Sequence, residues 1–155
     1  MTLHYLDLYD KGRMRLYEHW RIYALFAMKS PKEALVKIGV SSIIYDRVVA
    51  LQCGVPYPIR MVLHAPVGER GVTMSAEKMI HRLFKKRNTR GEWFEFDMTN
   101  PQDKREFHEV TKAVYERFTD SRLKWDKITP EQLKAYIGYK NAGRKKEKAT
   151  TNRWY

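Results

Sequence analysis

Between Arg21 and Val40 the chain has little choice of structure. RIYALFAM, residues 21–28, is short and almost continuously apolar, as a strand covered on both faces must be. Ser30-Pro31-Lys32-Glu33 has the residues of a turn. Residues 36–40 then alternate, with Val36, Ile38 and Val40 on one side and Lys37 and Gly39 on the other. The unit reads strand, turn, strand.

The remainder mixes helices with strands. Ser41 or Ser42 is placed to cap a helix that ends near Gly54-Val55-Pro56. IRMVLHAPV (59–67) reads as a third strand, and residues 72–87 as an amphipathic helix whose inner face includes Ala76, Met79, Ile80 and Leu83. GEWFEFD (91–97) is a short extended segment. Asn100-Pro101 opens a helix with proline at its first position, and Phe107, Val110, Val114 and Phe118 recur at helical spacing. Thr129-Pro130-Glu131-Gln132 is a capping box, opening a short helix that Gly143 stops. Residues 1–20 are assigned no element.

On the helix after Ser42, Arg47 shares a face with Ile43, Ile44 and Leu51. A guanidinium does not lose its charge and is costly to bury unless an anion meets it. Charge says which anion to look for. The chain carries 30 Lys and Arg against 18 acids, a net +12, and so basic a chain usually meets a polyanion, most often nucleic acid. Residues 117–155 hold 11 of the cations against 4 acids, so the basic end is a C-terminal extension. The single cysteine, Cys53, excludes an intramolecular disulfide and a cysteine-rich zinc site. No apolar run reaches the ~20 residues of a membrane helix, and the N-terminus lacks the order of a signal peptide. A soluble, cytoplasmic protein without a membrane partner is expected.

Six short motifs occur in order: Ile22-Tyr23, Lys37-Ile38-Gly39, Arg47 in the following helix, LQCGVP (51–56), ExxxH at Glu77 and His81, and Gly91-Glu92-Trp93-Phe94. Their order resembles the GIY-YIG endonuclease superfamily, in particular its phage and bacterial branch that writes the second motif as KIG. The likeness covers about residues 21–97. The literal Tyr136-Ile137-Gly138 lies too far from Tyr23 to be the second motif. The resemblance implies an α+β fold, a small three-stranded antiparallel sheet flanked by helices, within residues 21–118. Residues 1–20 precede that domain, and 119–155 form a helical, basic, DNA-binding extension. It implies one divalent ion, Mg²⁺ or Mn²⁺, bound by Glu77, with Arg47 on the phosphate and Tyr23 helping to activate water. Lys37 stands where many members have tyrosine; it either lowers the pKa of a neighbouring phenol or water or serves as the base. His81 either assists catalysis or pairs with Glu77. Arg21 stands where the superfamily name has glycine.

Each residue has a plainer role: Tyr23 as a core tyrosine, Lys37 on a solvated sheet face, Glu77 and His81 as an i,i+4 contact, and Arg47 in an ion pair with Asp46 or Glu77. Lys85, Lys86, Arg87 and Arg90 form a basic cluster suited to DNA backbone, and Lys140, Arg144, Lys145, Lys146 and Lys148 add to it in the extension. The expectation is a metal-dependent endonuclease of double-stranded DNA, a nickase if monomeric and able to cut both strands as a weak homodimer. Phage or mobile-element DNA processing is its expected setting. The alternatives are a non-catalytic nucleic-acid-binding protein on the same fold and an RNA-binding or RNA-cleaving protein.

Overall fold

The computed structural model describes residues 19–138. The chain forms strands β1 (Trp20–Met28) and β2 (Glu33–Ser41), helix α1 (Ile44–Gln52), strand β3 (Ile59–Gly68) and helix α2 (Arg70–Leu83). After a 3₁₀ turn at Lys85–Arg87 come β4 (Asn88–Arg90), β5 (Trp93–Asp97), helix α3 (Pro101–Thr119) and β6 (Asp126–Ile128). A helical segment, α4, covers residues 130–138. The strands make one antiparallel sheet in the order β4-β5-β2-β1-β3-β6. The three-stranded sheet expected from the resemblance is its centre, β2-β1-β3, and β4-β5 and β6 widen it at either edge.

The even residues of β1, Ile22, Ala24 and Phe26, face a core closed by Ala76 and Ile80 of α2 and by Phe107, Val114 and Tyr115 of α3. The odd residues, Tyr23, Leu25 and Ala27, face a second core with Ile44, Tyr45 and Val48 of α1 and Leu133 and Tyr136 of α4. Two cores on one strand explain why its sequence does not alternate. Phe84 meets Phe96 edge-on at 5.1 Å, and Phe96 meets Phe107 at 5.7 Å. Such pairs add about 1 kcal/mol each beyond the area they bury, and they hold the end of α2 against β5 and α3.

Three local expectations change. Ser41 Oγ accepts from the Ile43 N–H at 3.0 Å and so closes a turn, and α1 starts after Ile43 without a side-chain cap. Helix α2 ends at Leu83, which is half exposed, because Phe84 takes the buried position. The fold also continues past 118: β6 pairs with β3, and the box at Thr129 and Gln132 forms reciprocally, at 3.2 and 2.8 Å. The helix stop at Gly143 lies outside the described residues.

Arg21 ties the sheet together at the β6 edge. Its Nη1 donates to His64 Nδ1 at 2.9 Å and to Asp126 at 3.0 Å. Burial, followed by the Arg21 charge, pushes the His64 pKa down to about 4. His64 is therefore neutral in the fold, with Nδ1 as acceptor. As pH falls below about 6.5, the unfolded chain takes up a proton that the folded His64 accepts only near 4. Stability should fall across that window by up to about 1.4 kcal/mol per pH unit. Urea unfolding of wild type and His64→Gln at several pH values checks this: the stability of wild type relative to the variant should fall towards acid, and a pH-independent difference would refute it.

Candidate active site at the open edge of strand β2

The site lies where β5 leaves β2. Their pairing stops at Lys37 and Trp93. One residue further on, Ile38 donates its N–H to the Glu92 carbonyl at 3.3 Å, and its own carbonyl accepts from His81 Nε2 at 2.8 Å. From Gly39 onward this edge of β2 carries no strand among the described residues, so side chains from α1, α2 and the β4–β5 turn meet around it.

Gly39 pairs with Tyr23 across the β1–β2 ladder. A Cβ at Gly39 would overlap the Tyr23 hydroxyl and stand 2.5 Å from Cζ. The residue must be glycine because the phenol ring lies directly on the strand. Tyr23 is 1 % exposed, and its hydroxyl has no hydrogen-bond partner among the described residues. Burial pushes the phenol above its ordinary pKa, and the guanidinium of Arg47, near it but outside standard hydrogen-bond geometry, offsets part of that rise. An unpartnered buried hydroxyl costs about 1–3 kcal/mol, so the plain core-tyrosine role does not account for it.

Arg47 stands at the margin of the apolar face of α1, exposed, while Ile44, Tyr45 and Val48 are buried. It makes no salt bridge with any described residue. Its sequence neighbour Asp46 instead accepts a hydrogen bond from the Tyr136 hydroxyl. The literal YIG therefore does structural work, in helix α4.

Lys37 is not on a solvated face. It is 8 % exposed, donates from Nζ to Glu92 Oε2 at 2.7 Å and lies 5.7 Å from the centre of the Trp93 ring. Glu77, 9 % exposed, approaches the same Glu92 from α2. Burial, then the Glu92 carboxylate beside it, push the Glu77 pKa up to about 7. Burial pushes Glu92 up, but the Lys37 hydrogen bond and charge, with smaller help from His81 and Glu77, together outweigh it and hold Glu92 below its ordinary pKa. Like charges in a shared site divide in this way. His81 Nε2 lies 3.6 Å from Glu77, yet its proton goes to the Ile38 carbonyl, and its ring rests against Phe94 at 5.2 Å.

Tyr23, Lys37, Arg47, Glu77 and His81 thus converge. Sequence reasoning missed Glu92 as a member of the site; its signal was an acid in the turn before the strand that pairs with Lys37. The basic cluster divides. Lys85, Lys86 and Arg90 are exposed, whereas Arg87 is bound by Asp103 at 3.1 Å and by Glu106, and stacks on Phe96 at 4.5 Å. Arg87 thus ties the 3₁₀ turn after α2 to α3. Lys140, Arg144, Lys145, Lys146 and Lys148 lie outside the described residues.

A family model, the T5orf172 domain, matches residues 21–119, more than half of the chain and every residue of this constellation. The chain belongs to the T5orf172 domain family. No curated protein and no solved structure matches it. Membership points this T5orf172 protein to a nuclease-like or nucleic-acid-related function. No helix among its described residues is long and apolar enough to cross a membrane.

Proposed function

We propose that this T5orf172 protein is a GIY-YIG-type, metal-dependent endonuclease that hydrolyses phosphodiester bonds of double-stranded DNA. The supporting observation is the convergence, at one open strand edge, of a guanidinium without an ion pair and a buried phenol without a hydrogen-bond partner among the described residues, and of a carboxylate whose proton affinity is raised by burial and then by a second carboxylate. Hydrolysis builds negative charge on the phosphate oxygens. Arg47 offers its donor fork to them. Tyr23, kept protonated by burial, orients the attacking water. Glu92 fixes the Lys37 ammonium towards the same space, and His81 is a positioning residue that holds the β2 main chain beside Gly39.

Glu77, with Glu92 adjacent, would hold the divalent ion. The donors fit: both are hard carboxylates, and one ammonium, from Lys37, bonds to Glu92. No group of three metal-binding side chains exists among the described residues; water and substrate phosphate would have to complete the shell of Mg²⁺ or Mn²⁺. Bound there, the ion would act as a Lewis acid towards the phosphate and the leaving oxygen. One such site cuts one strand, so a monomer nicks, and a weak homodimer would cut both. Phage or mobile-element DNA in a bacterial cytoplasm is the setting this favours.

Supercoiled plasmid tests the reading. Wild type with Mg²⁺ or Mn²⁺ should relax or linearise it, and EDTA should stop this. Arg47→Ala, at an exposed position, should keep the wild-type melting temperature yet cleave roughly a hundredfold more slowly. Binding without cleavage under either metal would instead favour the non-catalytic alternative.

A further inference from the structure

Beside the site, and outside the constellation just described, is a cavity of about 200 Å³ lined by Val55, Pro56 and Tyr57 from the α1–β3 loop and by Arg90, Trp93 and Leu35. We propose that it is a nucleobase-stacking subsite, holding an unstacked base next to the phosphate that faces Arg47. The inference rests on the nucleic-acid reading above and adds a contact to the base itself.

Three observations identify the occupant. The first is continuity: Trp93 lines the cavity, pairs across the ladder with Lys37 and follows Glu92 in sequence. A nucleotide whose phosphate is at the site therefore has its neighbour at this opening. The second is lining. Two aromatic side chains, a proline and aliphatic carbon make an apolar slot, and stacking between aromatic and apolar side chains is how proteins hold bases drawn out of a helix. At this size the slot suits one ring system; drug-sized ligands take pockets of roughly 300–1,000 Å³. The third is charge. Arg90 in the lining is a cation, and Lys37 lies 5.7 Å from the centre of the Trp93 ring, matched to a base that arrives on an anionic backbone.

Two single strands of equal length and charge test this, one of mixed sequence and one abasic throughout. Binding is measured at matched salt in EDTA, so that no cleavage intervenes. Wild type should prefer the strand with bases by roughly tenfold, the value of one stacked base. Tyr57→Ala should lose most of that preference and Tyr57→Phe keep it, while binding to the abasic strand changes in neither. Because Tyr57 packs partly on the core, Gly54→Leu gives a second route. Its Cβ would meet nothing closer than 3.9 Å, the Leu51 carbonyl, and its side chain adds bulk to the lining, so it too should lower the preference. A preference unchanged in both Tyr57→Ala and Gly54→Leu overturns the subsite. Plasmid cleavage is scored separately. Cleavage with an unchanged preference removes the subsite and leaves the nuclease, and a Tyr57-dependent preference without cleavage removes the nuclease and leaves the subsite.

Discussion

Replacing Glu77 with glutamine should abolish DNA cleavage and, without metal, make the protein more stable. The stability half follows from the raised pKa. Glu77 titrates near 7 in the fold and near 4.3 in an unfolded chain. Below that lower value the carboxyl is neutral in both states and costs nothing. As pH rises towards 7, the unfolded chain releases its proton while the fold retains it, and stability is lost; above 7 the loss is constant. Glutamine keeps the shape without the charge, and its amide can donate to Glu92. In EDTA at pH 8 the variant should unfold at higher urea, by about 2 kcal/mol, roughly half of what the full shift would give because solvent screens part of the charge, and the gain should disappear near pH 4.5. The activity half follows from the proposed role. A neutral amide oxygen is a much weaker ligand for a divalent ion than a carboxylate, and plasmid cleavage should fall by roughly three orders of magnitude. A variant less stable than wild type at pH 8 would show that Glu77 is an ordinary structural contact. A variant that is more stable and still cleaves would move the metal role elsewhere, with Glu92 the first candidate.

Such opposed effects mark a site whose residues are placed against folding preference, and this explains which parts of it were legible in the sequence. β2, α2 and α3 follow from periodicity and β1 and β3 from short apolar runs, so all five were legible. So were the Thr129 box and the Asn100 cap, which accepts from the Gln102 N–H at 2.9 Å. Residues that fit no periodic role stood out as well: Arg47, which lies at the margin of an apolar helix face, and Tyr23, Lys37 and Glu77 through the order of their motifs. Long-range pairing was not. Nothing local to Lys37 says that Glu92 lies 2.7 Å from it, because that contact depends on where β5 stops pairing. Nor does the run Lys85-Lys86-Arg87 say which cation is spent inside the fold; Asp103 and Glu106 decide that from α3. The same limit hid β6, three residues long and recognisable only by its ladder with β3.

Gly39→Ala should inactivate the protein from a position that bears no functional group. One methyl added there overlaps the Tyr23 hydroxyl and stands 2.5 Å from Cζ, and β2 is held by β1 on one side and, through Ile38, by Glu92 and His81 on the other. The strand cannot retreat easily, so the phenol must move. Overpacking of this kind costs about 1–3 kcal/mol, and a reacting group displaced by an ångström loses roughly a hundredfold in rate. A double-mutant cycle separates this cause from a general preference for glycine. In a Tyr23→Ala background the ring is gone, so Gly39→Ala should cost little further stability, as coupled neighbours do. Equal costs in both backgrounds would show that glycine serves the strand and not the tyrosine. Coupling in stability, together with cleavage that either substitution alone removes, would show that the glycine of this motif is present to seat the phenol.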